Sequence, residues 1–374
     1  MPKSIFRRLT KKFFIITNLV LALLYLFGSY VHWFHPDTWW WLGLLNLGAF
    51  YLFLLLLFFI VFWLFAKPRW SLLSIIAIAL SYPSLRQMIA MHLPAGFTKQ
   101  SPAGSIRVMS WNVEHFDILE HKTHPEKKQD MLNLIREYNP DVACFQEMVG
   151  SDSNSKAINY VPDILRQTGF GEYHYAYNTK LDFDANHHFG IMIASRFPII
   201  NKQKVSFPPN DYNSIFQYAD IVTGTDTIRV FNIHLQSLRF TTDNRKYLEN
   251  PTIDDDKAVE ESRSIVNKLK RGFIRRGIQA DRIHSVIKES PYPVIVCGDF
   301  NDLPNSYAYH TIGNGLQNAF AEKGSGLGRT FTGISPTLRI DNIFADKKMT
   351  ILQYTRVARQ LSDHFPVFTD LKVK

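Results

Sequence analysis

The hydrophobic pattern changes character near residue 100. Residues 13–34 and 38–66 contain no Asp, Glu, Lys or Arg, and Trp70–Leu85 is a third uncharged run. A helix needs roughly 20 apolar residues to cross a hydrocarbon core of about 30 Å, so the first two runs are long enough to span. The third reaches that length if Arg86 snorkels and the helix continues towards Leu93. The pattern therefore predicts two or three transmembrane helices, at about 13–34, 40–66 and 70–92. The first run is long, carries Trp33 near its end and lacks a small-x-small exit, unlike a cleaved leader.

"HLPAGFTKQSPAGS" follows, rich in Pro, Gly and Ser, and sets a linker at 93–105 ahead of a large domain, 106–374. In that domain short β-rich runs alternate with helical patterns. "SIRVMSWNV", "DVACFQEM", "HHFGIMIASRFPI", "DTIRVFNIHLQS", "YPVIVCGDFND", "RIDNIFAD" and "FPVFTDLKV" read as strands. Residues 126–138 and "AINYVPDILRQTGF" read as helices, as do residues 257–288, with Ile274, Ile278, Ile283 and Ile287 on one apolar face. Several strands are apolar throughout, which points to α/β sheets covered by helices on their outer faces.

Charge separates the same two parts. Residues 1–100 hold nine Lys/Arg and one acid, Asp37, and so carry most of the net +9; the rest of the chain stands at +1. The basic balance thus describes membrane flanks rather than a nucleic-acid-binding face. Lys3, Arg7, Arg8, Lys11 and Lys12 precede the first run, the loop at 35–38 has no Lys or Arg, and Lys67 and Arg69 follow the second run. With positive charge inside, three spans leave the large domain on the extracytoplasmic side of a multi-pass cell-membrane protein, and two leave it in the cytosol. The three-span arrangement is the expectation. Cys144 and Cys297 lie in apolar strands and read as buried thiols.

Polar residues cluster where these strands end. Asn112 and Glu114 follow the first, Gln146 and Glu147 the second; Asn232, His234 and Gln236 alternate along one strand face. Asp299 and Asn301, then Asp341, then Asp363 and His364 complete the series. Singly, such residues are turn formers or helix caps. Six clusters of acid, amide and imidazole are a different matter, because carboxylates gathered in one place need a cation. The donors are hard oxygens with no thiolate pair, which favours Mg²⁺, with Mn²⁺ the other possibility, over zinc. Nothing suggests a covalent Ser or Cys intermediate. "GSGLGRT" at 324–330 lacks a P-loop ending and reads as a loop near the site.

"SWNVEHF", "CFQEM", "GIMIASRFPI", "NIHLQS", "GDFND", "RIDNIF" and "SDHFPV" stand in the order found in the endonuclease/exonuclease/phosphatase superfamily, which residues 105–374 resemble. That group includes pancreatic-type deoxyribonuclease, abasic-site endonucleases, neutral sphingomyelinases and inositol-polyphosphate 5-phosphatases. The resemblance implies a four-layer α/β sandwich, two packed mixed β-sheets flanked by helices, and metal-dependent hydrolysis of phosphate esters. It also implies roles. Asn112 and Glu147 resemble the primary metal ligands, Glu114 a nearby assisting acid, and Asp363 a further metal-side or phosphate-side carboxylate. Asp299 resembles the group that orients or deprotonates the attacking water, and Asn301 its amide partner on the phosphoryl group. His234 resembles the imidazole that stabilises developing charge or protonates the leaving oxygen, and Asp341 with His364 an acid–imidazole pair.

The substrate is left open as a lipid headgroup, a nucleic acid or a small phosphodiester. The lipid bilayer is the expected partner of the N-terminal helices, and nothing requires an obligate protein partner. An extracytoplasmic DNA endonuclease or exonuclease is the main alternative, a catalytically silent binding module the lesser one. The +1 balance of the large domain weighs against nucleic acid, although "KLKRGFIRR" at 268–276 is a local basic patch. That patch reads as a solvated helix face.

Overall fold

The computed structural model describes residues 3–93, 96–152, 157–178, 186–206, 215–250 and 256–374. Residues 94–95 of the expected linker, and the side chain of Lys3 in the basic N-terminal cluster, lie outside the described residues.

Both long apolar runs are helical, which satisfies their backbone groups internally, as a membrane span requires. These are α1 (Lys3–Ser29) and α2 (Leu42–Ala66), each long and apolar enough to cross a membrane. The third run differs from the single helix expected over 70–92. It is divided into α3 (Ser71–Leu80) and α4 (Tyr82–Met88) at Ser81. Pro83 accounts for the break, since it lacks an N–H and its ring clashes with the preceding turn. Three polar contacts tie α3 and α4 to α1. Ser74 Oγ donates to Asn18 Oδ1 at 2.8 Å, Ser81 Oγ meets the Tyr25 hydroxyl at 2.7 Å, and Ser84 Oγ donates to the Ser29 carbonyl at 2.7 Å. The sequence offsets are 56, 56 and 55 residues, so the two segments run parallel and in register. Lys67 and Arg69 consequently lie level with Lys11 and Lys12.

The large domain holds two six-stranded sheets. In chain order the strands are β1 (Ile106–Asn112), β2 (Val142–Ser151), β3 (Glu172–Tyr177), β4 (His187–Ser195), β5 (Ile199–Ser206), β6 (Ile215–Thr223), β7 (Asp226–His234), β8 (Val294–Asp299), β9 (Leu316–Asn318), β10 (Asp341–Asp346), β11 (Met349–Arg356) and β12 (Val367–Val373). One sheet runs β11-β12-β1-β2-β4-β3 and the other β9-β10-β8-β7-β6-β5. Each is mixed: β1 is parallel to β2 and β7 to β8, while the remaining neighbours are antiparallel. Alternation assigns the rows. Val108, Cys144, Val230, Ile295 and Cys297 interleave between the sheets. Met109, Trp111 and Phe145 face out under α5 (Pro125–Tyr138) and α6 (Val161–Thr168). Phe231, Ile233 and Val296 face out under the long α8 (Asp256–Lys288) and α9 (Tyr307–Ile312). The result is the four-layer sandwich. Both cysteines are buried, free thiols.

The helix expected over 257–288 is α8 (Asp256–Lys288), preceded by α7 (Thr242–Glu249); Ile283 and Ile287 of the expected stripe are buried, but Ile278 is not. Ile278 is 52% exposed, while Phe273, Arg276, Gly277, Ala280, Ile283 and Ile287 are buried. Pro36, in the loop between α1 and α2, covers this face: a Cβ on Gly277 would lie 2.5 Å from the Pro36 ring. The basic patch is likewise not a simple solvated face. Arg276 is buried and donates to Asp302 at 3.0 Å, and Lys268 donates to Asn244 at 2.6 Å. The linker is also fastened. Buried Arg107 pairs with Asp370 through two bonds of 2.7 and 2.8 Å and donates to the Thr98 carbonyl at 2.8 Å.

Candidate active site

Each inner row of the sandwich ends in a polar residue. Val108–Ser110 leads to Asn112, Val230–Asn232 to His234, Ile295–Cys297 to Asp299, and antiparallel β10 opens with Asp341 opposite Asp299. Because β1 and β7 each run parallel to a neighbour, their C-terminal ends and those of β2 and β8 open on the same side. The antiparallel strands β10 and β12 contribute their entering ends there, which brings in Asp341 and the 362–364 turn. Gly298 makes the packing possible: a Cβ there would sit 2.0 Å from the Ile233 carbonyl oxygen.

Local backbone then aims the side chains. A bulge in β2 between Phe145 and Met148 puts Glu147 at φ 53°. Glu114, His115 and Asn301 also have positive φ, at 46°, 55° and 49°. Non-glycine residues in this region are uncommon and persist where surrounding structure fixes them, as in binding sites.

The contacts form one network. His364 Nδ1 lies 2.8 Å from Asp341 Oδ2, and its Nε2 points towards Asp299 Oδ2 at 3.8 Å. Asp363 Oδ1 is 3.9 Å from the same Nε2, so the adjacent acid is not the imidazole's hydrogen-bond partner. His234 Nε2 stands between Asp299 Oδ2 at 3.6 Å and Glu147 Oε1 at 3.8 Å. Asp299 accepts from Asn112 Nδ2 (3.1 Å), from the Asn301 N–H (2.8 Å) and from Asn301 Nδ2 (3.2 Å). Glu114 Oε2 accepts from the Asp363 N–H at 2.9 Å, and the Glu114 N–H donates to Asn112 Oδ1 at 3.1 Å. All nine residues singled out in the sequence are thereby brought together. Glu114, Glu147, Asp299, Asn301, Asp363 and His364 line one cavity of about 450 Å³; Asn112, His234 and Asp341 stand behind its wall.

Electrostatics follow from burial and crowding. Burial, and then the Asp363 charge, raise Glu114; burial also raises Asp363, with Glu147 adding to the shift. Burial pushes Asp299 up to about 7, with Asp341 contributing. His234 is pushed down to about 4 by burial. Burial opposes charge on His364 too, yet the Asp341 and Asp299 carboxylates hold it well above the ordinary histidine value. Mutually repelling carboxylates in a hard-oxygen pocket suit a divalent cation, which would relieve this repulsion. Asp341 Oδ1 is buried without a hydrogen-bond partner among the described residues. Asp299, Asp341 and His364 offer ligand atoms within 4.8 Å of one another, so the donor set can meet an ion from that side as well.

Several contributors went unassigned in the sequence. His115 Nδ1 is 3.5 Å from Glu147 Oε2; its place beside Glu114 in "SWNVEHF" was the available signal. Thr330 Oγ1 accepts from the Ile340 and Asp341 N–H groups, both at 3.0 Å, and Ser362 Oγ accepts from the His364 N–H at 3.1 Å. Thr330 ends the glycine-rich stretch 324–330, which is zipped to the chain after α4 by Ala90–Gly326 and Met91–Ser325 pairing. Asn232 and Gln146 instead bind each other across the two sheets at 2.7 Å, and Gln236 bonds α8 through Gln279.

Comparison with known proteins agrees with this fold. Residues 109–364 match the Endonuclease/Exonuclease/phosphatase family, and residues 11–88 match a domain of unknown function (DUF8431). No curated protein matches the chain. Among solved structures, humanized TDP2 of D. rerio is 17% identical with a TM-score of 0.50, over 72% of this chain and all of its own. An endonuclease/exonuclease/phosphatase family protein from Leptotrichia buccalis is 16% identical with a TM-score of 0.50, over 71% and 99%. The human Nocturnin catalytic domain, with bound sulfate anion, is 16% identical with a TM-score of 0.50, over 74% and 97%. At such identities these likenesses carry the fold alone. The family match covers more than half of the chain: it belongs to the endonuclease/exonuclease/phosphatase family and is a metal-dependent hydrolase of phosphate ester bonds.

Proposed function

We propose that this member of the family is a membrane-anchored, Mg²⁺-dependent phosphoesterase that hydrolyses phosphodiester or phosphomonoester bonds with water as nucleophile. The observation that carries the reading is the convergence of acid, amide and imidazole groups from six strand ends on one cavity. Asn112 and Glu147 would hold the ion, with Glu114 and Asp363 as nearby carboxylates. When bound, the ion supplies charge stabilisation to the phosphoryl oxygens.

The remaining residues manage orientation and protons. Asp299, with its raised affinity for a proton, orients the attacking water and takes its proton as oxygen bonds to phosphorus. Asn301 fixes the Asp299 carboxylate through its N–H and its side-chain NH₂, whose second hydrogen goes to the Leu235 carbonyl and would be exchanged for the phosphoryl group when substrate binds. His234 and His364 face Asp299 from two sides, so either can steady developing charge or protonate the departing oxygen as the P–O ester bond breaks. Asp341 fixes the His364 tautomer.

Anchoring rests on the N-terminal helices. Phe13, Ile16, Val20, Leu54, Phe58 and Val61 are exposed along α1 and α2, an apolar surface that water would not tolerate. The parallel register of α3–α4 with α1 brings the chain back to the end of α1 away from its basic flank, which supports three crossings and an extracytoplasmic catalytic domain. The test is hydrolysis of bis-p-nitrophenyl phosphate and of the monoester p-nitrophenyl phosphate by the purified full chain. Mg²⁺-dependent turnover, lost with chelator, is expected, and absence of turnover with any divalent metal refutes the reading. Protease accessibility of the C-terminus in intact cells tests sidedness; a protected C-terminus refutes the three-crossing arrangement.

A further inference from the structure

The catalytic cavity is not closed by the catalytic domain alone. Leu47, in the second turn of α2, is part of its lining, together with Leu238, Phe240, Leu269 and Phe273 of the large domain. Arg239, Arg245, Arg276 and Asn301 give the cavity the cations and amide a phosphate calls for, and apolar side chains continue beside them from Glu147 and Asp299 to a candidate membrane helix. Leu47, Leu238, Phe240 and Leu269 are only half-buried, so folding leaves apolar surface facing the cavity.

One residue at the mouth stands out. Ile334 lines the same cavity, is 50% exposed and has φ 60°. A β-branched residue in the left-handed region is a genuine outlier, and an exposed isoleucine gains nothing in water to offset that strain. The neighbouring Ser335 Oγ is 3.1 Å from the Tyr51 hydroxyl of α2, which holds this loop against the helix.

The cavity is also held at a fixed height relative to the anchor. Gly43 of α2 meets Phe273 so closely that a Cβ would lie 2.8 Å from its ring. His32 stacks on His310 with centroids 3.7 Å apart, Asn305 Nδ2 donates to the Ser84 carbonyl at 3.1 Å, and the Tyr309 hydroxyl donates to Gln87 at 3.0 Å. Trp39 and Trp41, 43% and 46% exposed, stand just before α2, where aromatic side chains mark a membrane–water boundary. Leu47 lies five residues into the helix, about 8 Å below its start at 1.5 Å per residue.

We infer that the substrate is an amphiphilic phosphate ester drawn from the bilayer: its phosphate sits among Glu147, Asp299 and His364, and its apolar chain leaves past Leu238, Phe273 and Ile334 along Leu47. The inference rests on the phosphoesterase and membrane-anchor reading above and names the substrate class of that same site. Exposed Arg245, which lines the cavity and acts electrostatically on Asp363, supplies a cation near an anionic headgroup. The dimensions fit, since cavities of roughly 300–1,000 Å³ hold ligands of drug size and this one adds an open mouth.

The test uses the full chain in mixed micelles with Mg²⁺. The probes are dioleoyl phosphatidic acid, phosphatidylcholine and phosphatidylinositol, their dibutanoyl analogues, bis-p-nitrophenyl phosphate, and linear duplex DNA. For at least one headgroup, kcat/KM on the dioleoyl form should exceed that on the dibutanoyl form by about tenfold or more. Ile334→Glu, at an exposed loop position, should reduce that ratio at least fivefold, whereas Ile334→Leu should keep it. Equal rates on long and short chains, a ratio indifferent to Ile334→Glu, faster cleavage of DNA than of any lipid, or hydrolysis of the soluble ester without any lipid would each overturn the lipid assignment and leave the phosphoesterase reading standing. No hydrolysis of any probe, lipid, soluble ester or DNA, removes that reading as well.

Discussion

Asp341→Asn is the sharpest probe of the site, because it changes one charge and almost no volume. The wild-type carboxylate accepts from His364 Nδ1 at 2.8 Å, and both groups are buried. A hydrogen bond to a charged partner contributes about 1.5–3 kcal/mol. At 1.36 kcal/mol per pKa unit, its loss should lower the His364 pKa by about 1–2 units, since it is the imidazolium that loses support. The asparagine can also present its NH₂ and select the wrong tautomer. Turnover on bis-p-nitrophenyl phosphate should fall on the order of 10²-fold, the lower end of what a positioned acid or base contributes. The limb of the pH–rate profile that reports His364 should move to lower pH. The Mg²⁺ concentration for half-maximal rate should stay within twofold of wild type, because Asp341 is assigned to the imidazole rather than to the ion. A variant within threefold of wild-type turnover and with an unmoved limb would refute the pairing. A tenfold higher Mg²⁺ requirement would put Asp341 on the ion instead, an option left open by the spacing of Asp299, Asp341 and His364.

Glu147→Gln should behave in the opposite way, raising the Mg²⁺ concentration for half-saturation at least tenfold; a calorimetric titration matching wild type would remove Glu147 from the ligand set. The joint between anchor and domain should loosen in acid. Burial lowers His32 to about 4 and His310 to about 3, so both are neutral in the docked state, and docking is at full strength above the ordinary value of 6.5 and weakens as pH falls below it. For His310 at pH 5 the penalty is about 2 kcal/mol. Hydrogen exchange over residues 307–312, corrected for intrinsic rate, should speed up between pH 7 and 5, and unchanged protection would refute the linkage.

The strand ends were legible because alternation is a strong code: apolar inner rows that stop at Asn112, His234 and Asp299 can be read one residue at a time. Short motifs such as "GDFND" and "SDHFPV" then fixed the family. What stayed hidden required a partner. Ile278 belongs to a regular stripe yet is exposed, because Gly277 and Arg276 face the anchor loop and Asp302. The third apolar run would reach spanning length only by continuing past Arg86, and it breaks at Ser81, because Pro83 outweighs hydropathy. Positive φ at Glu114, Glu147 and Asn301 has no glycine to announce it.

Those strained positions and the apolar mouth are aspects of one design problem. A metal site needs carboxylates close together, which repel and resist burial, so the scaffold must hold them where they would not settle alone. The two parallel pairs, β1 with β2 and β7 with β8, supply that rigidity by aiming four chain ends the same way. A cavity with such a floor would ordinarily be wet and polar to its rim. Here Leu238 and Ile334 share the rim with Arg239 and Arg245, and the wall leans on buried Phe273 and on Leu47, so the charge-rich floor and the apolar part of the entrance demand different things of one ligand. A nucleic acid answers only the first demand, since its charge is spread along its length and no apolar chain accompanies it. A phosphate joined to an apolar chain answers both, and the docking of the domain on α2 sets the entrance beside one of the two helices long and apolar enough to cross a membrane.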